Sequence, residues 1–345
     1  MFTRPLVGYT PLMQKQPQTP RVGILLTNTG SPAAPTPEAL HPYLHQFLSD
    51  PRVVDYPRWV WGPILHGIIL RTRPRRSARL YQNVWTPEGS PLIATAKRQA
   101  DGIRALFGSQ YPRPVQVAVG MRYGEPSIAR GLRELRGQGV SQFVIFPLFP
   151  QFTHATTTST FDAVQEELAT WPTLPEVRTI DNYHDHPAYL RALAASIRET
   201  WAEKGYPDRL LFSFHGIPER YRRNGDPYRE QCEATARGVA TELNLPPGAW
   251  QIAFQSRFGP EPWLQPYTDQ TLAAWGRAGV RTAHVLCPGF SADCLETVDE
   301  IGREARHTFF EAGGQDFHYI PALNDRLDHL QALMEILAAH LEGWE

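Results

Sequence analysis

The chain has 345 residues, 42% of them hydrophobic and 20% charged, with a formal net charge of -1. That length favours two α/β units over a single core, and the balanced charge excludes a nucleic-acid footprint. No uninterrupted apolar run reaches the ~18 residues that a membrane span needs. Cys232, Cys287 and Cys294 are too few for a disulfide or metal framework and fit a reducing cytoplasm. The first twenty residues hold Arg4, Lys15 and four prolines, and they lack the apolar core of a signal peptide. They read as a flexible N-terminal arm.

Arg21-Val-Gly-Ile-Leu-Leu-Thr reads as a buried strand that runs into the polar loop Asn28-Thr-Gly-Ser31. A helix follows, with Thr36 as N-cap and Pro37 in the first turn. No G-x-G-x-x-G or G-x-x-x-x-G-K pattern supports a phosphate cradle. Trp59 to Leu70 is the most hydrophobic stretch, and Arg71, Arg73, Arg75, Arg76 and Arg79 come next. Such a lip suits a membrane interface, or a grip on a flat apolar ligand that carries carboxylates. A packed helix followed by a solvated basic one fits equally well.

Val115 to Gly120 is a second strand, ending at Met121-Arg122-Tyr123-Gly124. Arg and Tyr together can pair with an anion while stacking on a ring. Phe143 to Pro150 is a third strand, and the hydroxyl-rich loop after it contains His154, which reads as a capping or polar-loop residue. Asp181 to Pro187, with His184 and His186 expected to be solvated, separates two similar halves. In the second half, Leu210 to Phe214 is a strand ending in His215, Trp250 to Gln255 another, and Thr282 to Pro288 a third. The loop from Arg257 to Asp269, with Trp263, is stiff and aromatic. A last helix spans about Asp325 to Leu341. Ligands of open α/β sheets bind outside the carboxyl ends of strands, where His215 lies. It is a candidate base or metal ligand, or else a turn histidine satisfied by backbone.

The segment after Phe290 carries Asp293, Glu296, Glu300 and Glu304. At about 100° per residue they span an arc of roughly 80° on a helix. Like charges four apart repel by a few tenths of a kcal/mol per pair. A carboxylate track for a cation or for protons explains that repulsion. Favourable placement at a helix N-terminus accounts for only Asp293 and Glu296.

The chain resembles the ferrochelatases, in their proteobacterial form. The resemblance rests on Asn28-Thr-Gly-Ser-Pro, Phe47-Leu-Ser-Asp-Pro-Arg-Val-Val-Asp55, Gly89-Ser-Pro-Leu, Gly120-Met-Arg-Tyr-Gly, Phe146-Pro-Leu-Phe-Pro-Gln-Phe and Ser213-Phe-His-Gly-Ile-Pro. Asn224-Gly-Asp-Pro-Tyr, Phe254-Gln-Ser-Arg-Phe-Gly, Pro262-Trp-Leu and Cys287-Pro-Gly-Phe-Ser-Ala-Asp-Cys-Leu-Glu-Thr complete it. It implies the class II chelatase fold: α/β, two Rossmann-like domains, each a parallel sheet flanked by helices, with a porphyrin cleft between them. The expected divisions are an arm at 1–20, an N-terminal domain at 21–180 with the lip, a C-terminal domain at 181–323, and a helix at 324–345 packing back.

The resemblance further implies Fe(II) insertion into protoporphyrin IX, the last step of haem synthesis. His215 and Glu296 become the catalytic and metal-handling pair, with Glu300 and Glu304 continuing the metal path on a helix that is partly π-helical in the family. Asn28, Thr29, Ser90, Arg122, Tyr123, Trp263, Phe290 and Asp293 become porphyrin-binding residues. Fe(II) is a substrate, and no tightly bound cofactor is expected. Many relatives carry His where this chain has Cys294. Some hold a [2Fe-2S] cluster through a loop cysteine where His154 stands here and through others near the C-terminus, so no cluster is expected. The expected setting is a cytoplasmic monomer, with a homodimer as the alternative, making peripheral membrane contact through Trp59–Leu70. Rival readings are a coproporphyrin III chelatase and a non-catalytic two-lobed metal- or haem-binding protein.

Overall fold

A computed structural model of the chain describes residues 21–111 and 114–344, so the expected arm at 1–20 lies outside the described residues. The first half runs β1 (Arg21–Ser31), α1 (Pro37–Ser49), α2 (Arg58–Ile64), a π-helical turn (Leu65–Ile69), α3 (Leu70–Val84), α4 (Pro91–Gln110), β2 (Gln116–Gly124), α5 (Ile128–Gly137), β3 (Val140–Pro147), a second π turn (His154–Thr158), α6 (Ser159–Leu168) and β4 (Glu176–Thr179). The second half runs α7 (Pro187–Lys204), β5 (Arg209–His215), α8 (Glu219–Arg223), α9 (Tyr228–Glu242), β6 (Trp250–Gln255), α10 (Thr268–Arg277), β7 (Thr282–Leu286), α11 (Leu295–Val298), a third π turn (Glu300–Ala305), α12 (Arg306–Glu311), β8 (Asp316–Ile320) and α13 (Leu327–Ala339).

The strands form two four-stranded sheets in the same order, β2-β1-β3-β4 and β6-β5-β7-β8. Every pairing between them is parallel. Helices cover both faces of such sheets, so the central strands are continuous apolar runs. Ile24, Leu25 and Leu26 of β1, Phe143 to Phe146 of β3 and Leu210 to Phe214 of β5 are buried. The edge strands β4 and β8 were not expected from the sequence. β4 is short and polar, and β8 buries only Phe317 and Ile320 of its five residues.

One apolar core joins the halves. It includes Ile24, Leu26 and Phe146 from the first sheet and Leu210, Phe212 and Phe214 from the second. Between the sheets it takes in Ile103 of α4, Ile197 of α7, Val239 of α9 and Leu333 of α13. The last helix packs back on α4 as well as α7, which ties the C-terminus to the first half.

The lip is a separate module. Thr36 caps α1 as expected, its hydroxyl accepting from the Ala39 N–H at 3.3 Å. Leu40, Tyr43, Leu44 and Leu48 of α1 pack against Leu65, Leu70, Ala78 and Tyr81. The opposite side is left open: Trp59 is 81% exposed and Ile68 60%. No helix among the described residues is long and apolar enough to cross a membrane.

Candidate active site

His215 is the last residue of β5 and is half-buried. Parallel pairing with β6 and β7 places it at the sheet's carboxyl edge. Its Nδ1 lies 2.6 Å from the Gly216 carbonyl oxygen. A carbonyl only accepts, so Nδ1 donates to it, and in the neutral tautomer the lone pair is on Nε2. The ring sits 6.5 Å from that of Trp263, which in turn lies 5.0 Å from Phe258. The stiff loop after β6 thus supplies an aromatic wall beside the imidazole. Trp263 is 6% exposed, and its buried indole N–H has no protein partner.

The carboxylates come from the segment after β7, the strand that pairs with β5 on the side away from β6. Glu296 is in the first turn of α11 and half-buried. Burial chiefly, and then the Glu296 charge, raises the Cys294 thiol. Glu300 opens the third π turn, and its carboxylate accepts from the Ser256 N–H at 2.7 Å and from the Ser256 hydroxyl. Burial raises Glu300 above the usual carboxylate range, the neighbouring Glu296 charge adds to this, and Ser256 and His215 oppose it. His215, Glu296 and Glu300 therefore share one electrostatic neighbourhood. Glu304 does not join them: it is exposed and accepts from Arg303 at 3.0 Å. Among the described residues no three His, Cys, Asp or Glu side chains are placed to hold a metal together.

The far wall comes from the lip, and its tyrosines carried no signal in the sequence pattern. Tyr43 of α1 is buried and raised first by that burial and then by Glu296. Tyr81 of α3 behaves likewise, with Tyr43 acting ahead of Glu296. Arg73 of α3 is lowered by burial, while Tyr43 and Glu296 hold it up. Its guanidinium stands 5.8 Å over the Phe258 ring, reaching across from the first half to the second. Glu296 therefore faces a cation and two phenols. Of the five arginines after the lip, Arg73 feels the charges of Tyr43 and Glu296.

The remaining expected residues are placed as follows. The Asn28 side chain accepts from the Thr29 N–H at 2.8 Å. Ser90 is buried at the start of α4. Phe290 is half-buried and packs beside Cys294 and Met121. Arg122 and Tyr123 bind an anion within the chain: Asp50 accepts from the Arg122 guanidinium and from the Tyr123 hydroxyl, each at 2.7 Å. The Arg122 guanidinium also lies 4.8 Å over the Tyr123 ring. Asp293 is fully engaged, accepting from Tyr319 at 2.6 Å, Asn324 at 2.8 Å and Thr297 at 2.9 Å. It fastens the α11 approach to the end of β8. His154 lies in the second π turn, exposed, with Nδ1 3.1 Å from the Thr158 hydroxyl. His184 was expected in solvent but is half-buried and bonded to Asn182 at 2.8 Å.

A cavity of about 440 Å³ lies on the other side of the acidic segment, lined by Asn83, Asp299, Arg303, Arg306 and His318 among others. Its Asp299 is held by Asn83 at 3.0 Å and by Arg303 at 2.6 and 2.9 Å. It does not open onto His215.

Two solved structures share the fold: SirB from Bacillus subtilis with Fe3+ (TM-score 0.53, 11% identity, 92% of this chain and 94% of that one) and the sirohydrochlorin chelatase SirB from B. subtilis subspecies spizizenii with cobalt (TM-score 0.52, 12% identity, 93% and 97%). Three relatives lie far closer in sequence. The chain is 53% identical to the ferrochelatase of Hydrogenovibrio crunogenus over 94% of this chain and 87% of that protein. It is 51% identical to that of Nitrosococcus oceani over 94% and 88%, and 46% identical to ferrochelatase 1 of Shewanella oneidensis over 94% and 98%. The sequence profile of the ferrochelatase family matches residues 21–341. With that match across both sheets, the chain belongs to the ferrochelatase family, whose reaction is insertion of metal into a porphyrin.

Proposed function

We propose that this ferrochelatase inserts Fe(II) into protoporphyrin IX and that His215 and Glu296 handle the metal and the displaced protons. The observation that supports this most is the placement of an imidazole and two carboxylates between aromatic and cationic walls. Insertion must strip water from the metal, bend a flat macrocycle and remove two N–H protons. The Nε2 atom of His215 is the base we read as taking a pyrrole proton, since Nδ1 is bonded to the Gly216 carbonyl. Glu300, held high by burial, can accept a proton from it and release it toward solvent past Glu296. A metal in transit needs few fixed ligands, so an N/O pair without a third protein donor suits a substrate ion. Trp263 and Phe290 lie against the ring and use its binding energy to hold it bent. Arg73 would pair with a propionate, whereas Arg122 already gives one N–H to Asp50 and one to Ser159, and the Tyr123 hydroxyl donates to Asp50.

The open apolar side of the lip, with Trp59 and Ile68, favours the greasier protoporphyrin over a four-carboxylate substrate. The arginines that follow suit contact with an anionic membrane surface by a cytoplasmic monomer. Purified protein, incubated anaerobically with Fe(II) or Zn(II) and either protoporphyrin IX or coproporphyrin III, tests the substrate through the Soret shift. Metallation of protoporphyrin IX is expected. Reaction of coproporphyrin III alone overturns the substrate assignment.

A further inference from the structure

We propose that Gln255 is a positioning residue that sets Glu296 and Glu300 against His215. This rests on the reading of those three residues as the working site. α11 runs on through Asp299 into the π turn that opens with Glu300, so a contact on this stretch bears on both carboxylates. Asp293 ties its approach to the end of β8, and the tie to β5 and β6 comes from Gln255. Gln255, 4% exposed at the end of β6, touches every part concerned. Its Nε2 donates to the Glu296 carbonyl at 2.7 Å. Its Oε1 accepts from the Ser213 hydroxyl at 2.6 Å, two residues before His215 on β5. Its backbone carbonyl accepts from the Gly216 N–H at 2.8 Å, on the other side of His215. Ser213 is held in turn by the Thr268 hydroxyl at 2.8 Å. A carbonyl accepts and never donates, so the contact with Glu296 fixes which end of the amide faces which partner.

The next residue continues the clamp. Ser256 gives both its N–H and its hydroxyl to the Glu300 carboxylate. It does so from φ 65°, in the left-handed region. The other non-glycine residues there, among those described, are Asn244 and Asn324, a residue type that tolerates it. A serine held in that conformation is an outlier that its surroundings must maintain, and such outliers cluster at functional sites. The dipeptide Gln255-Ser256 therefore fixes the backbone of one carboxylate and the head of the next, while its neighbours on β5 carry the histidine.

The test is steady-state zinc insertion into protoporphyrin IX with Gln255→Met, Ser213→Ala, the double variant and His215→Ala. Gln255→Met preserves length and removes the amide contacts to Glu296, Ser213 and the Cys287 thiol. It is expected to lower kcat about 10- to 100-fold, the usual cost of losing a partner that orients a site ligand. Porphyrin affinity, read by fluorescence quenching, should stay within about twofold because the ring walls are untouched. Ser213→Ala should give a smaller loss, and the double variant should be no worse than Gln255→Met alone, since both cut one chain of contacts. Losses that multiply in the double variant overturn the proposal, as does wild-type kcat in Gln255→Met beside an inactive His215→Ala. Full activity in His215→Ala instead overturns the site reading itself. If Gln255→Met does not fold, Ser213→Ala carries the test, and unchanged kcat there counts against the proposal.

Discussion

Asp50→Asn tests whether the chain's own carboxylate, and not a substrate, is the anion that Arg122 and Tyr123 bind. The Asp50 side chain is 3% exposed and that of Arg122 21%. The carboxylate also accepts from the Ser159 hydroxyl at 2.6 Å and the Arg52 N–H at 2.8 Å. Removing one member of a buried pair costs about 3–5 kcal/mol. Water reaches Arg122 in part, so the low end, ~3 kcal/mol, applies. Unfolding entropy near 2.1 cal/mol/K per residue gives about 0.7 kcal/mol/K for one cooperative unit of this length, hence a drop in Tm of ~4 °C. If the first half of about 160 residues melted alone, the same loss would be ~9 °C. The shared apolar core favours the single transition.

Burial by itself would raise Asp50, but the hydrogen bonds from Ser159, Tyr123 and Arg52, with the Arg122 charge, bring it below its usual value. A carboxylate depressed in the folded state adds stability that is complete above its unfolded pKa and lost as pH falls through the folded one. The gap between wild type and Asp50→Asn in scanning calorimetry should therefore be flat from about pH 8 to 5 and close below the ordinary aspartate range. A shift under ~1 °C at pH 7.5 would refute the reasoning.

Glu300→Gln should melt higher than wild type. The folded site raises the pKa of Glu300, so the stability linked to its protonation is complete below the unfolded value and disappears as pH rises through the folded one. The stabilisation should be larger at pH 8 than at pH 5, with activity lost, and equal melting at both pH values would contradict it. His284 is fully buried with neither ring nitrogen bonded, and burial pushes it down to about 4. Its neutral form therefore supports the fold above the unfolded pKa, and that support drains as pH falls toward 4. Replacing it, as in His284→Leu, should flatten the melting profile between about pH 6.5 and 4, by at most ~1.4 kcal/mol per pH unit. Arg220 pairs with Asp55 at the root of the lip and with Glu261 at 2.6 Å, all partly exposed. Arg220→Ala should move Tm by no more than about 1–2 °C yet weaken porphyrin binding, and unchanged affinity would remove this tie from the lip's support.

How far the sequence reached depended on range. The central strands and His215 were legible because apolar runs and a terminal polar residue are local signals. β4 and β8 were not, since edge strands need no continuous apolar run. The acidic stripe was legible as far as Glu300. Beyond it, Glu304 turns to Arg303, and Asp299, outside the stripe, is the carboxylate buried against Arg303 and Asn83. A constant angle per residue does not continue through a π turn. Arg122 and Tyr123 were recognisable as anion binders, but that their anion is Asp50 depends on how α1 ends against β2. Tyr43 and Tyr81 enter the site only through the fold-back of the lip, which no local pattern encodes.

Everything proposed for the site turns on whether His215 takes a working part in metal insertion. The most direct measurement of that role is the anaerobic rate of Fe(II) insertion into protoporphyrin IX by wild type and by His215→Ala, with porphyrin binding measured on the same samples. Binding should stay intact while the rate falls at least ~100-fold, the lower range for loss of a positioned base. A His215→Ala protein that inserts iron at the wild-type rate would contradict that role.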